Sequence, residues 1–242
     1  MAVNRRHFLI GTAGVGALLV GVGAWLRPSD RGAPYSDYFR ALNRELKEHG
    51  PMRPVMLIDL DRLDHNIDVV MQSVNRGGKH LRLVEKSLPA PGLLTYIAKR
   101  AGTQRLMSFH QPFLNHDAVQ FPASDILLGK PLPVRSAELF YQTHKGPFDP
   151  SKQLQWLLDT PERLQQYLAL AQGLGTRLRV NIELDVGLHR GGVSDLAVLG
   201  RMLTLISQHP QHLEFAGFMG YDPFVGMGVP GILGSSEELF AK

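Results

Sequence analysis

The chain has 242 residues, 44% of them hydrophobic and 20% charged, enough for one substantial core. Its formal net charge is only +4, and no basic stripe with interleaved aromatics appears, so nucleic acid is not an expected partner. There is no cysteine, which excludes disulfides, thiolate zinc sites and cysteine nucleophiles.

The first residues read as a targeting segment. Asn4-Arg5-Arg6-His7-Phe8-Leu9-Ile10 opens an uncharged stretch over residues 8–26. A basic start followed by an apolar segment is the pattern of an export signal, and the paired arginines resemble the twin-arginine type. Val22-Gly23-Ala24 offers small residues for cleavage. The stretch is also long enough to serve as an uncleaved anchor, with membrane contact confined to residues 8–26. The expected location is the periplasm or beyond, either free or anchored and facing the periplasm. Residues 1–34 are therefore read as signal or anchor plus a Pro/Gly-rich linker, and residues 35–242 as the functional domain.

Residues 35–49 predict a helix, with Ser36 as its N-cap and Gly50 beyond its end. Residues 54–60 are strand-like. Leu63, Ile67, Val70, Met71 and Val74 recur at helical spacing until Gly77-Gly78. An apolar strand follows in Leu81-Arg82-Leu83-Val84-Glu85-Lys86-Ser87-Leu88. Next come a helix over 91–100, a strand over 105–109, a strand over 125–129 and a helix over 135–144. A strand over 153–158 leads to Thr160-Pro161-Glu162, a cap and first-turn proline that start another helix. A longer strand spans 177–187, a helix 194–207 and a last strand 213–219.

Strands alternating with helices imply a parallel α/β arrangement. In the longer strand Val180, Ile182, Leu184 and Val186 share one face, and Asn181, Glu183 and Asp185 the other. An apolar outer face under helices and a polar inner face fit a barrel strand. A doubly wound sheet is more often apolar on both faces.

Three segments carry chemistry, all at C-terminal strand ends, where a barrel places its active site. Lys86 ends an apolar run. A desolvated lysine has its pKa pushed down, and its amine becomes a nucleophile for carbonyl compounds. A strand-end lysine that snorkels to solvent is the other reading. Glu183-Leu184-Asp185-Val186-Gly187-Leu188-His189-Arg190-Gly191-Gly192 runs into a glycine-rich turn. Its Arg190 is either an oxyanion, phenolate or carboxylate partner or an exposed loop arginine. Gly217-Phe218-Met219-Gly220-Tyr221-Asp222 offers Tyr221 for stacking or hydrogen bonding, or as a core tyrosine. His110, His116 and His144 lack metal-ligand spacing on a common helix face. The glycines at 226–231 lack a nucleotide-loop context, and no serine has a hydrolase-elbow setting.

In this order and spacing the segments resemble one family. Ile58-Asp59-Leu60-Asp61, the helix after it and the lysine-ending strand look like the N-terminal domain of alanine racemase and its relatives. Glu183-Leu184-Asp185-Val186-Gly187-x-x-Arg190-x-Gly192-Val193 and Ala216-Gly217-x-x-x-Tyr221 are closer to the D-threonine aldolase and D-serine dehydratase branch. Asp125-Ile126-Leu127-Leu128-Gly129-Lys130-Pro131-Leu132-Pro133 is similar to its bacterial deaminase/aldolase members. The resemblance spans roughly residues 50–225 and implies a TIM (β/α)8-type barrel that binds pyridoxal 5′-phosphate. It implies Lys86 as the Schiff-base lysine that later moves the Cα proton. Arg190 would lie near the ring's phenolic oxygen, and Tyr221 would help hold ring or phosphate.

The implied activity is that of an amino-acid lyase, an aldolase or deaminase for D- or 3-hydroxy-amino acids. A racemase, a non-catalytic cofactor-binding barrel and an inactive fragment are the alternatives, and a homodimer is one assembly the resemblance allows. Two departures stand out. Asp222 occupies the place where the aldolase branch usually has histidine. About six barrel strands are counted where eight are needed, and the family's C-terminal β-domain is absent. The expectation is therefore an incomplete barrel, truncated or completed by a partner. No metal site is expected in these residues; a divalent metal would belong to the missing C-terminal part.

Overall fold

The computed structural model describes residues 32–87 and 89–223. The signal or anchor expected at residues 8–26 and the glycines at 226–231 lie outside the described residues. Among the described residues no helix is long and apolar enough to cross a membrane. The chain divides between Ile58 and Asp59 into two units.

In the first unit α1 (Asp37–His49) starts as expected, with the Ser36 side chain accepting from the Phe39 N–H. Asp37 in its first turn and Lys47 and His49 in its last complement the helix dipole. The strand expected at 54–60 does not form. Pro54 has no N–H to give a ladder, and Val55, Met56 and Leu57 are exposed. Residue 60 already belongs to the next helix.

The second unit opens with α2 (Leu60–Arg76), capped by Asp59, whose carboxylate accepts from the Arg62 N–H at 3.0 Å. Then follow β1 (Leu83–Val84), α3 (Pro91–Ala101), β2 (Arg105–Ser108), α4 (Gln111–Gln120), β3 (Asp125–Leu128) and α5 (Val134–Thr143). A short α6 (Pro150–Gln153) leads into β4 (Leu154–Leu158), α7 (Pro161–Leu174), β5 (Leu178–Leu184), α8 (Leu196–Gln208) and β6 (Leu213–Gly220). The Thr160 cap predicted for α7 is present, its hydroxyl accepting from Arg163 N–H at 3.1 Å. Helices α4 and α6 are additions to the sequence reading. The apolar residues of α4 do not keep to one stripe, and α6 is a single turn before a strand.

Among the described residues all six strands are parallel, in the spatial order β1-β2-β3-β4-β5-β6. Each strand pairs with its successor, so the winding never reverses, unlike a doubly wound sheet. This is the α/β architecture of an incomplete TIM-like barrel, and β1 and β6 are the sheet's edges among the described residues.

The outer faces of the strands meet the helices. Trp156 of β4 is the centre of that layer, its ring 5.4 Å from Tyr167 of α7 and 6.1 Å from Phe140 of α5. Its indole N–H donates to the Tyr141 hydroxyl at 3.2 Å, and the Tyr167 hydroxyl donates to the Leu132 carbonyl at 3.2 Å. Val180 and Ile182 are fully buried on the same side, as the alternation in β5 predicts.

The inner face is polar and internally paired. Asn181 donates to Gln155 at 2.7 Å, and Gln155 donates to the Asp125 carboxylate at 2.8 Å. Arg82 pairs with the same carboxylate and donates to the Asp125 and Leu106 carbonyls at 2.7 and 2.8 Å. Arg179 closes the row against Glu214 at 3.1 Å. Replacing Asp125 by alanine leaves the Gln155 amide without its acceptor and the Arg82 guanidinium without its carboxylate, with only its two main-chain carbonyls left. The expected cost is roughly 2–3 kcal/mol, read as a lowered urea midpoint with unchanged slope.

Candidate active site

Parallel strands bring their C-terminal ends to one rim. Lys86 follows β1 there, Arg190 lies in the loop after β5, and Tyr221 follows β6 directly. The structure places all three expected site residues on this rim. It brings Arg190 against Tyr221, and puts Lys86 four strands away along the order of the sheet.

Lys86 is not the desolvated lysine of a buried strand. It is exposed, and only Leu83 and Val84 of that run pair as a strand. The buried residue is Glu85, 3% exposed. The period-2 alternation explains the swap: one side chain turns under α4, and the next faces the open side. The Lys86 ammonium lies 5.4 Å from the ring centroid of Phe109, just past β2. Gly129, just past β3, makes room for that ring, because a Cβ there would lie 2.4 Å from Phe109 Cζ.

The loop after β5 is built by one carboxylate. Asp185 Oδ1 accepts from the Gly187 and His189 N–H groups, both at 3.0 Å, and Oδ2 lies 2.7 Å from His189 Nδ1. These bonds, led by the His189 N–H, hold the Asp185 carboxyl below the usual aspartate range. They also end β5 at Leu184, before the predicted 187, because the turn captures the N–H groups a ladder would need. The loop returns to its own strand, with Val193 N–H on the Glu183 carbonyl at 2.8 Å and Asp185 N–H on the Val193 carbonyl at 3.1 Å. Gly192 permits the return: its φ is +94°, and a Cβ would lie 2.6 Å from the Leu184 and Asp185 backbone.

The loop presents Arg190. Its guanidinium carbon sits 4.4 Å from the centroid of the Tyr221 ring, a cation–π contact. Nη2 is 3.9 Å from Glu183 Oε1. Tyr221 is 43% exposed, so the core-tyrosine reading falls. Glu183 is buried on the inner face. Burial, helped by the charge of Asp159, raises its carboxyl above the usual glutamate value, with Arg190 and Lys130 opposing. Glu183 was legible as an inner-face residue from the alternation, but its pairing with Arg190 needed the loop's path. Among the described residues no cluster of three or more His, Asp or Glu is arranged to hold a metal ion.

Residues 58–227 match the model of the family described as alanine racemase, N-terminal domain. The chain belongs to this family. Solved structures share the fold. The alanine racemase from Oenococcus oeni superposes with a TM-score of 0.56 at 19% identity, over 72% of this chain and 46% of that one. The D-threonine aldolase from Filomicrobium marinum gives 0.59 at 18% identity, over 70% and 44%. The D-threo-3-hydroxyaspartate dehydratase from Delftia sp. HT23 gives 0.53 at 23% identity, over 67% and 41%. The match spans less than half of each of these longer chains. No curated protein matches in sequence.

Within this alanine racemase N-terminal domain, Gly192 is the residue on which the Arg190 loop closes. Gly192→Ala must move backbone, at an expected cost of about 2 kcal/mol or more, read in thermal or urea unfolding.

Proposed function

We propose that this protein is a pyridoxal-phosphate-dependent amino-acid lyase of the aldolase or deaminase kind, acting on D- or 3-hydroxy-amino acids. One observation carries the reading. An exposed amine, Lys86, and an arginine held against a tyrosine, Arg190 on Tyr221, occupy the same rim of a parallel sheet. Family membership and the fold shared with an aldolase and a dehydratase support it.

The donor set fits the cofactor. Lys86 offers a primary amine for its aldehyde. Arg190 offers a permanent cation for its phenolic oxygen, aimed by Tyr221 on one side and Glu183 on the other. The exposed Tyr221 ring and hydroxyl can support the ring or phosphate. When bound, pyridoxal phosphate supplies the electron sink for charge developing at the amino acid's Cα.

The chain's own residues position and move protons. Lys86 Nζ would hold the cofactor, and its amine would take or return the proton at the substrate's Cα. Arg190 keeps one orientation because its stacking on Tyr221 and its approach to Glu183 restrict the guanidinium plane. The inner carboxylates Glu183 and Asp185 make the rim near Arg190 polar, which suits an amino-acid substrate over an apolar one.

The full chain, prepared with pyridoxal phosphate, is expected to show a visible absorption band that borohydride converts into a stable adduct on the Lys86 peptide. Lys86→Ala removes band and adduct. Arg190→Ala keeps the adduct and weakens cofactor retention by about tenfold or more, measured by dialysis, because one charge-assisted contact is lost. A wild-type chain with no band overturns cofactor binding. A band without release of aldehyde, ketoacid or ammonia from D-threonine, D-serine or 3-hydroxyaspartate overturns the lyase assignment.

A further inference from the structure

Glu85 precedes Lys86 and turns the opposite way, into the interior. It is 3% exposed, and Asp117 of α4 and Ser108 of β2 are fully buried beside it. As ionised groups these carboxyls are orphans: Glu85 Oε2 and both Asp117 oxygens meet no donor, nor is Ser108 Oγ paired. Two adjoining buried carboxylates cannot both ionise cheaply. With a proton on one of them, Glu85 and Asp117 can hydrogen-bond side chain to side chain.

The surroundings favour retention of that proton. Burial, then the hydrogen bond and charge of Asp117, pushes the Glu85 carboxyl up to about 8. Burial also raises Asp117, and its neighbours Glu85 and Ser108 oppose the rise. The facing titratable groups are Asp117 and His116 from α4 and His110 at its N-cap; the two histidines oppose the rise at Glu85. His116 Nδ1 stands 3.8 Å from Asp117 Oδ1.

The pair lies where β1 has least hold. The strand has two ladder residues, and Glu85 N–H to the Met107 carbonyl at 3.0 Å extends it by one bond. Residues 86 and 87 are already a bend. We propose that Glu85 and Asp117 form a positioning latch for Lys86, in which one shared proton ties the end of β1 to α4 and its loss frees the Lys86 bend. The benefit to catalysis rests on the lysine role proposed above; the latch itself operates without cofactor.

The sign follows from the two states. Unfolded, Glu85 loses its proton near 4.5; folded, near 8. Between these values the folded chain alone holds the proton, so this contribution to stability is complete below about 4.5 and falls until about 8.

The test is acetic anhydride labelling of the full-length, cofactor-free chain, with peptide mass spectrometry from pH 6 to 9. The readout is the ratio of Lys86 to Lys99 modification, since Lys99 is an exposed lysine on α3. In the wild type the ratio is expected to rise about threefold or more through pH 8 as the bend opens. Glu85→Gln, whose amide donates to an ionised Asp117, should hold the ratio low throughout and flatten the decline of the urea midpoint between pH 5 and 8. Glu85→Ala should hold the ratio high at every pH. A Glu85→Gln ratio that follows the wild type through pH 8 overturns the latch, even if the stability profile changes. Should Glu85→Ala fail to fold, wild-type infrared spectra decide: no protonated-carboxyl band at pH 7 also overturns it. Failure of pyridoxal phosphate to bind Lys86 would defeat the proposed function and leave this readout intact.

Discussion

The Asp125 carboxylate is the anchor on which the inner face depends. It takes the Gln155 amide from β4 and the Arg82 guanidinium ahead of β1, and Gln155 in turn takes Asn181 from β5. A polar interior is tolerable only when every donor finds an acceptor, because each orphan keeps its full desolvation cost. Slipping any of these strands by one residue would turn its polar side chain into the helix layer and an apolar one into the polar row. The row therefore enforces register, and register decides which residues reach the C-terminal rim.

At that rim the protein uses short-range devices to aim single side chains. Asp185 gathers the N–H groups of Gly187 and His189, Gly192 lets the loop return onto β5, and Arg190 is delivered to Tyr221. On β1 the device is alternation: Glu85 is drawn into the interior and Lys86 is left in the open beside Phe109. Each device is local, but each acts only because parallel pairing has already brought the strand ends together.

Much of this was legible in the residues, for identifiable reasons. Ser36 and Thr160 announced their helices because a capping oxygen has a local target, an N–H three residues on. The six parallel strands were legible because turns and apolar runs recur, and the two faces of β5 because its alternation is strict. Helix α4 was not, since its apolar residues are scattered around its axis. The run at 54–60 misled because apolar content imitates a strand where no neighbour offers a ladder. Lys86 misled in the same way: its apolar neighbours suggested burial, yet Val84 before it is 56% exposed.

The sequence by itself determined the family, the alternation of strand and helix, and the three residue types at the strand ends. These are properties of spacing, and spacing is carried along one strand or one helix. Tertiary structure alone decided which member of the Glu85–Lys86 pair is buried, that Asp117 lies opposite Glu85, and that Arg190 rests on Tyr221. Each of those outcomes depends on groups far apart in the chain: 32 residues separate Glu85 from Asp117, and 31 separate Arg190 from Tyr221. Burial and charge pairing are set by what stands across the gap, and only the assembled sheet and its helices put anything there.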